Sequence, residues 1–298
     1  MDGWIILDKP VGLGSTQAVS AVKRALREGG YAKRKVGHGG TLDPLASGVL
    51  PVAIGEATKL AGRMLDSDKI YDFTIHFGIE TDTLDAEGRA VANADHRPTR
   101  ADVEAMLPRF TGPIEQIPPA FSALKIDGER AYDRARAGEA VVLASRNVTI
   151  HRLALAEWDA DSVTLTAHVS KGTYIRSLAR DIAHALGTVG HVTMLRRVKA
   201  GPFALNQAIS LDKLADAAKA RELEDTILPL RAGLDDIPAL SLTPDQAGLL
   251  RRGQVVAGAA ADTSQLRDGQ YFATLGDTPV ALVEVQAGIV RVVRGFNL

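Results

Sequence analysis

The sequence predicts an α+β fold: a mixed, largely antiparallel-sheet domain over residues 1–235, then a small C-terminal β-barrel or sandwich over residues 236–298. Three observations carry that reading. Alternation of apolar and polar residues with a period of two marks strands at 70–79, 163–169 and 191–199. Apolar stripes with the helical period mark helices at 16–28, 99–110 and 174–186. Past residues 230–238, where acids cluster and periodicity lapses, the chain turns to short strands and one short helix. Hydrophobic residues make up 46% and charged residues 24% of the 298, an ordinary balance for a globular chain.

The helix at 16–28 sets Val19, Val22 and Leu26 on one stripe and is stopped by Gly29-Gly30. In 70–79, Tyr71, Phe73, Ile75, Phe77 and Ile79 share one strand face, opposite Asp72, Thr74 and His76. Thr99 stands where an N-cap is expected, ahead of Val103, Met106, Leu107 and Phe110. Residues 112–140 are polar and turn-rich, with Pro113, Pro118, Pro119, Gly128 and Gly138, and read as a long excursion from the core. Val163, Leu165, Ala167 and Val169 form the apolar face of the next strand, which runs through Gly172 into the helix at 174–186, closed by Gly187. In 191–199, Leu195 shares its face with Thr193, Arg197 and Lys199, an apolar side chain among cations. The tail has a helix at 244–252 and strands at 281–285 and 289–293 joined at Gly288.

No cysteine is present, which excludes disulfides and cysteine-ligated metal centres and suits a reducing cytoplasm. The seven histidines include no His-x-x-x-His pair. No Walker loop, dinucleotide-binding glycine pattern or Gly-x-Ser-x-Gly elbow occurs. The reacting group is therefore expected to be a carboxylate, a hydroxyl or a lysine. The first ten residues lack the basic start and apolar length of a signal peptide, and no apolar run approaches the ~18 residues that span a bilayer. The net charge of −1 conceals a segregated distribution. Residues 23–35 hold six cations against one acid, residues 171–199 again six against one, and residues 80–104 seven acids against three cations. Such a chain can present basic faces to a phosphate backbone, although Lys23, Arg24 and Arg27 taken singly also fit a solvated helix face.

The stretch from Gly37 to Pro51 sets one carboxylate, Asp43, in a loop with four glycines and two prolines, beside His38. Pro44 fixes its own φ and confines Asp43 to extended or turn geometry. Two readings stand: a turn in which Asp43 bonds nearby backbone, and a loop holding an acid against a large ligand. Arg176 falls in the first turn of the predicted helix at 174–186, where its charge opposes the helix dipole. That placement is easier to understand if Arg176 faces a carboxylate or a phosphate. An arginine beside Asp43 would keep it ionised; a solvated arginine is the alternative. Tyr71, at a strand start, either packs in the core with its hydroxyl bonded or stacks on a nucleobase.

These residues fall into six ordered blocks. They are Lys9-Pro10-x-Gly12-x-x-Ser15; Gly37-His38-Gly39-Gly40-Thr41-Leu42-Asp43-Pro44-Leu45-Ala46-Ser47-Gly48; Lys69-x-Tyr71 with Thr81-Asp82-Thr83-x-Asp85-x-x-Gly88; Pro118-Pro119-x-x-Ser122-Ala123-Leu124-Lys125; Ser170-Lys171-Gly172-Thr173-Tyr174-Ile175-Arg176; and His191-Val192-x-x-Leu195-Arg196-Arg197. Together they resemble the motifs of bacterial tRNA pseudouridine-55 synthases, the TruB family of pseudouridine synthases, over essentially the whole chain. Gly14 departs from the family's usual Thr. The resemblance implies conversion of a uridine in the tRNA T-arm loop to pseudouridine, with no cofactor and no metal. It implies a cytoplasmic monomer needing no protein partner and no membrane. Asp43 would be the nucleophile, on the ribose C1′ or the pyrimidine ring, with Arg176 as its partner and Tyr71 stacked on the base. Leu195 would wall the pocket, Tyr174 would line it, and His38 would fill the stack left by the flipped nucleotide. Lys9, Asp85 and Lys125 would order the cleft or contact RNA. The excursion at 112–140 would close over the RNA arm, and a PUA-like C-terminal unit would hold a more distant part of the tRNA.

Overall fold

Strand β1 (Gly3–Lys9) buries Trp4, Ile5, Ile6 and Leu7 in succession, with no alternation, because both of its faces are covered. Helix α1 (Ser15–Glu28) follows, with Ala18, Val19, Val22, Ala25 and Leu26 buried along one stripe. Next come β2 (Val36–His38), β3 (Ala46–Ile54), α2 (Ala61–Asp66), β4 (Lys69–Phe77), β5 (Ile79–Thr81) and β6 (Ala90–Asn93). Helix α3 (Arg100–Met106) starts on Thr99, whose Oγ1 accepts from the Asp102 amide while Asp102 reaches back to the Thr99 amide at 2.9 Å. Then follow β7 (Gly112–Gln116), β8 (Lys125–Ile126), β9 (Glu129–Arg130), α4 (Ala131–Arg136), β10 (Arg146–Trp158), β11 (Ser162–Val169), α5 (Ile175–Ala185), β12 (Gly190–Ala200) and β13 (Phe203–Ala204). The chain continues through α6 (Leu211–Ala220), β14 (Leu228–Pro229), β15 (Ala239–Ser241), α7 (Pro244–Arg251), β16 (Gly269–Leu275), β17 (Thr278–Gln286) and β18 (Ile289–Gly295). The structure, a computed structural model, describes residues 1–122, 124–126, 128–139, 141, 143–257 and 266–298.

A ten-stranded sheet runs in the order β14-β1-β3-β12-β4-β11-β10-β7, with β2 on β3 and β13 on β12. Its pairings are antiparallel except at the centre, where β3 runs parallel to β12 with Ala46 opposite Leu195 and Gly48 opposite Arg197. This parallel pair brings the loop before β3 beside Leu195, and antiparallel β4 sets Tyr71 opposite Arg197 on the other side of β12. The approach is close: at Gly48, φ is +102°, and a Cβ would lie 2.2 Å from the Arg197 carbonyl oxygen. Helix α5 covers Phe73, Ile75, Phe77, Val163, Leu165, Ala167 and Val169; α1 and α6 cover Ile5, Leu7, Leu50, Val52 and Ile54. Tyr71 and Leu195 pack against both cores and so stand in the seam between them. A third core joins Trp4, Ile6, Val49 and Phe203 to Phe272 and Leu282 of the C-terminal sheet and to Phe296 just past it.

The predicted α+β, antiparallel-rich architecture is present, with four local corrections. The strand at 70–79 ends at Phe77, because Gly78 turns at φ +94°, and Ile79 pairs instead with β6. The excursion begins later than 112, since Gly112–Gln116 is the sheet's edge strand, paired to β10. In 191–199 the shared face holds only for Leu195 and Arg197, opposite Phe73 and Tyr71: irregularities at Val192/Met194 and Arg197/Lys199 take Thr193 and Lys199 out of the alternation, and Arg197 is buried. The tail forms an open four-stranded sheet in the order β15-β16-β17-β18 with α7 beside it, and no closed barrel is found among the described residues. No helix among the described residues is long and apolar enough to cross a membrane.

Candidate active site

The loop between β2 and β3 has no regular structure; its neighbours impose its shape. Ser15 Oγ accepts from the Leu42 amide at 2.8 Å and donates to the Leu42 carbonyl at 2.9 Å. Lys9 Nζ, on a fully buried side chain, donates to the carbonyls of Pro10 (2.9 Å), Leu13 (2.6 Å) and Pro44 (3.4 Å). Burial, and secondarily Arg197, pushes the Lys9 ammonium down to about 8 despite the pull of Asp43. Arg197, 1% exposed, grips the far side through the carbonyls of Val49 (2.8 Å), Gly40 (3.2 Å) and Thr41 (3.3 Å). Two buried cations thus hold the loop by its carbonyl oxygens. The Asp43 side chain, 43% exposed, remains at the cleft surface.

Arg176 is the second residue of α5, and no acid occupies that helix's first turn. Arg176 is 7% exposed, and its guanidinium bridges two carboxylates: Nη2 lies 2.9 Å from Asp43 Oδ2, and Nη1 lies 3.3 Å from Asp85 Oδ2. Nη1 also donates to the Thr83 carbonyl at 2.8 Å and Nη2 to the Phe121 carbonyl at 3.0 Å. Two adjacent carboxylates outweigh the few tenths to ~1 kcal/mol that a cation costs at a helix N-terminus. Asp85 is itself held, its Oδ1 accepting from Thr83 Oγ1 at 2.5 Å and from the Glu87 amide at 3.1 Å. That turn requires Gly88, where a Cβ would come within 2.4 Å of Thr83 Oγ1 and 2.5 Å of Asp82 Oδ1. Asp85, with a side chain 10% exposed, therefore serves Arg176 first.

Asp43 and Arg176 stand where two cavities meet. The inner cavity, about 560 Å³, is walled by Tyr71, Leu195, Tyr174, Val169, Ile175 and Lys69. The outer one, about 1100 Å³, is bordered by His38, Gln17, Thr83, Glu87, Arg89 and Arg136. Tyr174 is clamped through its backbone, donating to Gln116 Oε1 at 2.8 Å and accepting from Gln116 Nε2 at 3.1 Å. The Arg146 guanidinium covers the Tyr174 ring at 4.5 Å. Burial, and then Arg197, holds the His38 ring, which borders the outer cavity, below its ordinary pKa. Lys69 caps the end of α2 by donating to the carbonyls of Met64 (2.7 Å), Leu65 (2.8 Å) and Ser67 (2.5 Å).

Asp43, Arg176, Tyr71, Tyr174, Leu195, His38, Lys9 and Asp85 therefore converge from separate sequence blocks on one cleft. The side chain of Lys125 and residue Ala123 of its block lie outside the described residues. Sequence reasoning missed Ser15, Gln116, Arg146 and Arg197 as supports, because each acts through backbone or ring contacts that no local pattern reveals. It also missed that Ser122 Oγ is buried beside both cavities with no hydrogen-bond partner among the described residues. The basic segment at 171–199 is largely consumed internally: Arg176 and Arg197 are buried, Arg180 pairs with Asp181, Lys171 with Asp66, and Arg196 with Asp8. The segment at 23–35 is different. Lys23, Arg24, Arg27, Lys33, Arg34 and Lys35 are all exposed, and none forms an ion pair among the described residues.

Residues 27–175 match the N-terminal domain of the TruB family of pseudouridylate synthases, and residues 176–235 match the tRNA pseudouridylate synthase B C-terminal domain. The tRNA pseudouridine synthase B of Novosphingobium aromaticivorans is 63% identical over 303 residues, covering 100% of this chain and 98% of the relative. The protein of the same name from Zymomonas mobilis is 61% identical, covering 100% of this chain and 96% of the relative. Among solved structures, a chain of a Cbf5–Nop10–Gar1 complex matches with a TM-score of 0.72 and 28% identity, over 95% of this chain and 78% of that one. A chain of an H/ACA RNP bound to a substrate RNA containing 2′-deoxyuridine shares the fold, with a TM-score of 0.74 and 24% identity over 99% of this chain and 85% of that one.

Proposed function

The chain belongs to the TruB family of pseudouridylate synthases, and on that footing we propose that it converts uridine 55 in the T-arm loop of tRNA to pseudouridine with Asp43 as the nucleophile. The observation that carries this reading is the Asp43–Arg176 pair, 2.9 Å apart, at the junction of the two cavities. The isomerisation exchanges the N1–C1′ bond for a C5–C1′ bond and replaces the C5 proton with one on N1. Atoms and electrons balance without a co-reactant, so the protein's tasks are to extract the base, hold it and supply one nucleophile.

Extraction costs a few kcal/mol of lost stacking. Tyr71 and Leu195, half-buried in the seam, offer the base a ring and an apolar wall inside the 560 Å³ cavity. The His38 ring in the outer cavity suits the stack that the nucleotide vacates. Asp43 attacks C1′ or the pyrimidine ring, and Arg176 faces the carboxylate throughout. Asp85 and Lys9 position Arg176 and the loop, and Lys125 contacts RNA. We place the catalytic domain at residues 1–235, the RNA-covering segment within 112–140, and a PUA-like RNA-holding unit at 236–298. The protein acts as a cytoplasmic monomer with no protein partner.

The test is a T-arm transcript carrying tritium at uridine C5, incubated with the purified chain alone. Release of one tritium per transcript is expected, from a single position; saturable binding with no release overturns the proposal. The exposed cations at 23–35 supply phosphate contacts. Lys33→Ala with Lys35→Ala is expected to weaken binding and to lower the log–log salt slope by about 2, about 1 per lost contact. The modified position stays the same. An unchanged slope would remove this segment from the RNA footprint.

A further inference from the structure

Three metal-ligating side chains meet on the sheet face opposite α5, apart from the cleft. His151 on β10 and His168 on β11 lie on paired strands, and an irregularity between Ile150 and Arg152 leaves His151 as the extra residue opposite His168. Their ring centroids are 4.8 Å apart. Asp68, the residue before β4, reaches both rings: its Oδ2 lies 3.1 Å from His151 Nε2 and 3.7 Å from His168 Nε2. The three ligand atoms fall within 4.8 Å of one another. The side chains are 37%, 41% and 49% exposed for His151, His168 and Asp68, so an ion has open access. Asp68 is anchored by its backbone, its carbonyl accepting from the Gly201 amide at 2.9 Å.

We propose that Asp68, His151 and His168 form a binding site for a divalent transition-metal ion of the zinc class. Two imidazoles and one carboxylate suit zinc and its neighbours, whereas magnesium and calcium prefer oxygen ligands throughout. Tetrahedral zinc with ligand bonds of about 2.0–2.2 Å sets its ligand atoms roughly 3.3 Å apart. The observed 3.1 Å and 3.7 Å bracket that spacing, and rotation of the exposed rings closes the third distance. Lys199 and Arg152, both exposed, are the nearby cations that limit affinity. Three protein ligands leave a position for water. The bound ion ties β10 and β11 to the start of β4, where Lys69 and Tyr71 wall the inner cavity. Sequence spacing hides the site, since its ligands stand at 68, 151 and 168.

Chelator-treated full-length protein titrated with zinc chloride at pH 7.5, followed by calorimetry, tests the proposal. One saturable equivalent is expected, together with a higher melting temperature in zinc. His168→Ala and Asp68→Asn are each expected to weaken binding at least ~10-fold and to remove the melting shift. His96→Ala is expected to change neither. Absence of saturable binding, or undiminished binding in both variants, overturns the site. Metal-free melting of the variants, matched to the parent chain, separates loss of a ligand from loss of fold.

Discussion

Asp43→Asn is expected to lower single-turnover pseudouridine formation at least ~10⁴-fold, on the scale of losing a nucleophile elsewhere. T-arm affinity is expected to stay within about threefold, less than 1 kcal/mol. The substitution keeps the side chain's shape and one oxygen toward Arg176, and removes only the charge and the nucleophilic lone pairs. Arg176 does not collapse, because Asp85 and the carbonyls of Thr83 and Phe121 still hold it. Asp43 is itself 43% exposed, so the melting temperature is expected to change little. Tritium release and filter binding on the same preparation check both halves, with mass spectrometry confirming that the introduced amide has not hydrolysed back to the acid. Measurable product from the intact Asp43→Asn variant would end the nucleophile assignment. A matched loss of binding would instead make Asp43 an RNA contact.

The parts of this fold legible in the sequence are those in which one face of one element meets one partner. Phe73, Ile75 and Phe77, and again Val163, Leu165 and Ala167, alternate because a single helix covers one side of their strands. Arg176 was legible as an anomaly, a cation at a helix start, and its two carboxylates explain it. Long-range features were not legible. The parallel pairing of β3 with β12, which sets Asp43 beside Leu195, joins segments about 150 residues apart and leaves no local periodicity. Arg197 reads in the sequence as one more cation of a basic segment, because the carbonyls of Gly40, Thr41 and Val49 that bury it stand about 150 residues away. Pro113 and Gly112 looked like loop, yet they lie on β7 at the sheet's edge, where a missing amide donor is tolerated. Net charge misled in the same way. The count at 171–199 is correct, but ion pairs and burial consume all of those cations except Lys199, whereas the equal count at 23–35 stays exposed.

Arg176→Met is expected to destabilise the fold by about 3–5 kcal/mol as well as to abolish turnover. The stability loss arises at Asp85, not at Asp43. Asp85, with a side chain 10% exposed, keeps Thr83 Oγ1 and the Glu87 amide but loses the only cation paired with it among the described residues. Asp43 turns to solvent at little cost. Adding Asp85→Asn to Arg176→Met is therefore expected to recover most of the stability, although each change alone is destabilising, because the pair is coupled and not additive. Turnover is not expected to return in the double variant, since nothing then faces the Asp43 carboxylate. Arg176→Lys keeps a charge, but a single ammonium cannot span Asp43, Asp85 and two carbonyls as the planar guanidinium does. It is expected to fall between the parent and Arg176→Met in both readouts. Urea unfolding and tritium release on the parent and these variants separate the two roles. Additive stability costs would show that Asp85 does not depend on Arg176. Restored turnover in the double variant would show that Arg176 serves the fold alone. Stability without turnover is the outcome expected of one guanidinium that satisfies a buried acid on one edge and orders the reacting acid on the other.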